Sequence, residues 1–143
     1  MRALLLLGVL SLIGCSSVKG NRPRVGVTPE QVNDGEILYA SHGHGDFVPS
    51  TVVSHDASTV TLTYKASGQW SESLSAVIAP ANIQPGDVVS SAGNEFGVFG
   101  RHAQSFCDVQ KFVVIRVTEM GIWGLCDKRE AVWPLYHIQI PAL

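Results

Sequence analysis

Residues 59–64 read Thr-Val-Thr-Leu-Thr-Tyr, and no stretch after Cys15 carries a sustained helical stripe. Strict alternation places Val60, Leu62 and Tyr64 on one face and three threonines on the other, the pattern of a half-buried strand built from β-branched residues. Residues 73–78 alternate likewise, which predicts a strand with Leu74, Ala76 and Ile78 inward. Further strands are expected at 36–40, 51–54, 88–90, 112–117, 122–126 and 131–133, with a turn at Thr118-Glu119-Met120-Gly121. Single 3₁₀ turns are expected near Asn82-Ile83 and Tyr136-His137. A chain with many short strands and no amphipathic helix is expected to be all-β.

The N-terminus is of a different kind. Met1-Arg2-Ala3 supplies one positive charge, and residues 4–13 are almost wholly apolar before Gly14 and Cys15. A basic start, a short apolar run and a small residue are the parts of an export signal. The run is about half of the roughly 20 residues a helix needs to cross a bilayer. Leu12-Ile13-Gly14-Cys15 resembles the lipobox of bacterial lipoproteins. That resemblance implies cleavage after Gly14, covalent diacylglycerol and an N-acyl chain on Cys15, and no other cofactor. Ser16, where an aspartate marks inner-membrane retention in Gram-negative lipoproteins, implies an outer-membrane address facing the periplasm. Residues 1–14 are then the signal peptide and 15–33 a lipidated tether. The tether is expected to be flexible because it is polar and carries Gly20, Pro23, Gly26 and Pro29. Its Arg22 and Arg24 are placed to touch anionic headgroups.

Ten basic against twelve acidic residues leave a formal charge of −2, so no surplus exists to neutralise a phosphate backbone. Nucleic acid is not an expected partner. A hydrophobic fraction of 45% is too high for a disordered chain.

The body shows a hint of duplication. Gly35-Glu36-Ile37-Leu38-Tyr39-Ala40 looks like Gly86-Asp87-Val88-Val89-Ser90-Ser91, and each is followed by strands and a terminal isoleucine: Ile83, then Ile138 or Ile140. The first half resembles Tudor and agenet-type SH3-like barrels through Gly35, Leu38, Ala40, Phe47, Val60, Leu62, Tyr64 and Ile83. The expected architecture is two small SH3-like barrels in tandem, 34–84 and 85–143, or one larger β-barrel or sandwich. Units of about fifty residues have marginal cores, which favours a shared interface between them.

Three cysteines less the lipidated one leave Cys107 and Cys126, an expected disulfide in an exported chain. It would close about 20 residues and contribute roughly 3 kcal/mol; a reactive Cys107 beside His102 is the alternative. His42, His44 and Asp46 resemble part of the His-x-His-x-Asp-His motif of metallo-β-lactamase-fold hydrolases. Phe47 stands where that motif needs a histidine, the chain is short for the fold, and no metal is expected. The candidate binding surface is aromatic: Tyr39, Phe47, Tyr64 and Trp70, with Phe96 and Phe99 in a glycine-rich loop. Trp70, between Gln69 and Ser71, is the best candidate for an exposed ring. Together these features predict a membrane-anchored, non-enzymatic module of an envelope assembly with a protein partner. Peptidoglycan or another glycan as ligand, and a metal-dependent enzyme acting through His42, His44 and Asp46, are the alternatives.

Overall fold

The computed structural model describes residues 21–41, 45–91, 111–126 and 128–142. These form ten strands in three antiparallel sheets, linked by four single 3₁₀ turns. No helix among the described residues is long and apolar enough to cross a membrane.

The first sheet is a meander of β1 (Ile37–Ser41), β2 (Phe47–His55), β3 (Thr59–Thr63) and β4 (Gln69–Ser73). The alternation of β3 is used as expected, with Val60 and Leu62 fully buried. A register shift at Val53 inserts one extra residue into β2. Such a bulge bends its strand, and here β1 pairs with the first part of β2 and β3 with the second. Beyond β4 the chain makes a 3₁₀ turn, Leu74–Ala76, and returns to the outer edge of β1. There Tyr39 N donates to Ile78 O (2.8 Å) and Ile78 N to Tyr39 O (2.9 Å).

This differs from the strand expected at 73–78. Ser73 Oγ accepts from Ser75 N, a local bond that competes with a ladder; Leu74 and Ile78 of the predicted inward set are buried, but Ala76 is exposed and Val77 is buried in its place. The actual strand is the preceding polar stretch, 69–73. Ile83 does not close the first unit either; Ile78 does.

The second unit repeats the path. β5 (Val88–Ser91) and β6 (Lys111–Val113) lead to β7 (Arg116–Thr118), β8 (Gly121–Cys126) and β9 (Arg129–Trp133). A 3₁₀ turn at Leu135–His137 then sends β10 (Ile138–Gln139) back to pair with β5. The single strand expected over 112–117 is thus broken at Val114-Ile115, where the first unit has its bulge.

The likeness extends to individual hydrogen bonds. Gly35 N donates to Val52 O and Gly86 N to Val114 O, each at 2.8 Å, and both glycines have positive φ (85° and 94°). Val52 N donates to Glu36 O as Val114 N does to Asp87 O. It also reaches backwards. A 3₁₀ turn at Pro29–Gln31 followed by buried Val32 matches one at Pro80–Asn82 followed by buried Ile83. Ile83 therefore opens the second unit rather than ending the first.

Residues 21–33, expected within a flexible tether, are accordingly packed. Thr28 and Gln31 form a capping box around Pro29. Gly26 N donates to Val77 O and Val27 N to Leu74 O, which ties the segment to the first unit. Asn21 lies beside Asp87 in the second, with Val88 N donating to Asn21 O (2.8 Å). The segment is a strap across both units.

Two apolar clusters form the interior. The first holds Val32, Leu38, Ala40, Val52, Val60, Leu62, Leu74, Val77 and Ala79. The second holds Val89, Phe112, Val114, Ile122, Ala131, Trp133, Ile138 and Ile140, and takes in Tyr39, Ile78 and Ile83. β1 is thus buried on both faces: Leu38 and Ala40 point into the first cluster, Tyr39 into the second. At the matching places in the second unit stand Ser90 and Gln139. The interiors are also filled differently. The first unit pairs small Ser50 with large Leu62, while the second puts Phe112 where Ser50 would be and Gly124 where Leu62 would be. A Cβ on Gly124 would lie 2.2 Å from Phe112 Cδ2.

Candidate functional site

Most of the aromatic residues expected at a binding surface lie inside. Tyr39 is fully buried, and its hydroxyl donates to Leu135 O (2.7 Å). Burial pushes that hydroxyl well above the ordinary tyrosine range, so it remains a neutral donor. Phe47 packs against the second cluster, and its backbone exchanges two hydrogen bonds with Ile140, joining the two units. Trp70 is half-buried against the first cluster, with Nε1 donating to Glu72 Oε1 (3.2 Å). It is therefore not the exposed ring that its polar neighbours suggested. Tyr64 is half-buried just after β3, with Lys65 Nζ 5.2 Å from its ring centre.

Cys15, His42, His44, Phe96, Phe99, His102 and Cys107 lie outside the described residues, and Cys126 ends β8. Asp46 Oδ1 accepts from Ala142 N (2.9 Å), which ties the start of β2 to the C-terminal segment. Among the described residues no group of three or more His, Cys, Asp or Glu is placed to hold a metal. His55 Nδ1 lies 3.3 Å from Asp34 Oδ1 on the surface.

The surface that combines order with exposed apolar area is the outer face of β7–β8–β9. Register sets Arg116, Trp123 and Val132 side by side across the three strands. Val132 is fully buried beside the half-buried indole. Trp123 Nε1 donates to Thr118 Oγ1 (2.8 Å), fixing the plane of the ring. The Arg116 guanidinium stacks 4.2 Å from the ring centre, and its Nη1 lies 2.6 Å from Glu130 Oε1. Exposed cation–π contacts contribute about 0.5–1 kcal/mol and exposed ion pairs about 0–1 kcal/mol. The cluster orders side chains more than it stabilises the fold.

No family model, no curated protein and no solved structure matches this chain.

Beside the indole, on the same face of β8, Leu125 is 54% exposed, and Met120 in the β7–β8 turn is 55% exposed. A held tryptophan and arginine flanked by exposed Leu and Met is the composition of an interface centre, where few residues carry most of the energy. Trp123 was not among the aromatic residues that the sequence put forward for a binding surface. The available signal was register: Ile122 and Gly124 face inward opposite Trp133 and Ala131, so the tryptophan between them must face out.

Proposed function

We propose that this chain is a lipid-anchored, non-enzymatic binding and assembly module of the bacterial cell envelope, carried at the outer membrane facing the periplasm. The observation that carries this reading is Leu12-Ile13-Gly14-Cys15 directly after a short apolar run. The packed strap supports it. Only six residue steps separate Cys15 from Asn21, and at roughly 3.4 Å each they span about 20 Å. A body fastened from Asn21 onward is held close to the bilayer rather than ranging from it. The β7–β8–β9 face, with Trp123 at its centre, is the surface offered to a protein partner.

Two measurements test the reading. Mass spectrometry of protein from its native host should find the chain beginning at Cys15 with a diacylglyceryl thioether and an acylated amino group. An unmodified thiol or a retained leader would end the anchored account. Crosslinking of the anchored protein should recover a stoichiometric envelope partner, and Trp123→Ala should weaken that capture by about tenfold or more. Recovery unchanged by Trp123→Ala, or cosedimentation with purified sacculi in place of a protein partner, would remove the assembly role from this face.

A further inference from the structure

Where the strap crosses to the second unit, it walls a polar recess of about 370 Å³ lined by Asn21, Arg22, Arg24, Asn82, Gln84 and Asp87. The recess is held open by bonds that leave cationic groups unspent. Arg22 is half-buried; its Nη2 donates to Pro141 O (3.0 Å), which anchors the guanidinium, while its buried Nε has no acceptor among the described residues. Asn82 Nδ2 donates to Arg24 O (2.9 Å) and Gly26 O (3.0 Å), which sets the path of the strap and keeps Arg24 at the rim. Asp87 is buried and accepts from Gln84 N through Oδ2 (2.8 Å).

We propose that this recess binds a singly charged phosphodiester. A guanidinium offers paired donors that match two oxygens of one phosphate, and the recess is lined by two of them, Arg22 anchored through Nη2 and the exposed Arg24. Two arginines against one carboxylate leave the recess one positive charge in excess. That balance suits a diester, with one negative charge, better than a monoester with close to two at neutral pH. The ligand is a lipid headgroup or a soluble diester of the same chemistry. The first source rests on the anchored reading, which puts Asn21 within about 20 Å of a lipidated Cys15; the recess itself does not.

The full chain in uncharged maltoside micelles, which contain no phosphorus, is titrated with glycerophosphoglycerol while the amide resonances of Asn21, Asn82, Gln84 and Asp87 are followed. The same chain is then placed in phosphatidylglycerol nanodiscs with nothing added. Saturable shifts with the soluble diester support the proposal. Matching shifts in nanodiscs name the lipid as the source, and their confinement to the soluble arm names a free diester. Arg24→Gln, at an exposed position, should weaken binding by about tenfold, and Arg22→Lys, which keeps the charge but loses the fork, by a similar factor. Asp87→Asn should reverse the preference and admit inorganic phosphate. No shifts in either arm, or affinity indifferent to Arg24→Gln and Arg22→Lys, would overturn the assignment. Protein from its native host with an unmodified Cys15 that still binds the soluble diester would sink the anchor and leave the recess standing.

Discussion

If Phe112 and Gly124 are one packing solution rather than two independent residues, the energetic cost of changing either must depend on the other. A methyl group on Gly124 would sit 2.2 Å from Phe112 Cδ2, where no real Cβ contact lies. The ring cannot easily retreat, because it is stacked on Trp133 with centroids 4.2 Å apart. Gly124→Ala should therefore destabilise by about 1–3 kcal/mol, the usual cost of overpacking. Phe112→Ala should cost about 3–5 kcal/mol in lost burial and cavity. In the double variant the new methyl enters the space the ring has left. Its overpacking cost should vanish there, and the lower backbone entropy of alanine in the unfolded chain adds back about 0.4–1 kcal/mol. That entropy gain acts in both backgrounds and cancels in the cycle, so the coupling equals the lost overpacking cost, about 1–3 kcal/mol, within the range for residues in contact. Urea unfolding at equilibrium measures it, provided the slopes of the four variants agree. Additive costs, with coupling under about 0.5 kcal/mol, would refute the claim that the two positions exchange volume as Ser50 and Leu62 do.

Three further predictions follow from other parts of the molecule. Tyr39 stays protonated in the fold while its unfolded counterpart ionises near pH 10. Above pH 10 the native state thus holds one more proton, and stability should fall by up to about 1.4 kcal/mol per pH unit; Tyr39→Phe should lose that part of the alkaline dependence, and identical curves for the two proteins would contradict it. The same variant removes one of the two donors to Leu135 O, the other being Ile138 N, and should cost about 0.5–1.5 kcal/mol at pH 7, read by urea unfolding. Asp56 is held below the ordinary carboxylate range by amide donors from Ser58 and Thr59 and by the Thr59 hydroxyl. Its contribution is present above the unfolded pKa and is lost as pH falls through the folded value, so Asp56→Asn should flatten the acid limb of the stability profile below about pH 4.

The strands whose two faces differ in polarity were legible from the sequence. Val60 and Leu62 fell where the threonine alternation put them, and Gly35 and Gly86 stood at matching turns. What escaped was whatever two segments decide jointly. Ile37-Leu38-Tyr39-Ala40 is apolar throughout, which is how a strand buried on both faces reads; assigning one face to the surface placed Tyr39 wrongly. The strap was hidden by composition. Its polar residues argued for a linker, although Thr28-Pro29-Glu30-Gln31 carries both a capping box and a proline at the first helical position. Trp70 misled for the opposite reason, since polar neighbours on a strand mark the other face, not the ring's own. Neither the exchange of Ser50 and Leu62 for Phe112 and Gly124 nor the recess at Asp87 leaves a local trace, because each needs residues far apart in the chain.

The polar side chains of Ser90 and Gln139 have a consequence for assembly. The first unit meets the second through Tyr39 and Ile78, and a second unit bearing the same pair would present a sticky end to the next molecule. Contacts of that head-to-tail kind propagate into fibres wherever their rotation does not close a ring. The half-buried serine and glutamine at these places lack that apolar pair, and a polar outer face is what keeps repeat units from stacking further. Replacing them with tyrosine and isoleucine should turn a discrete particle into a filament-forming one, visible as scattering that rises with protein concentration.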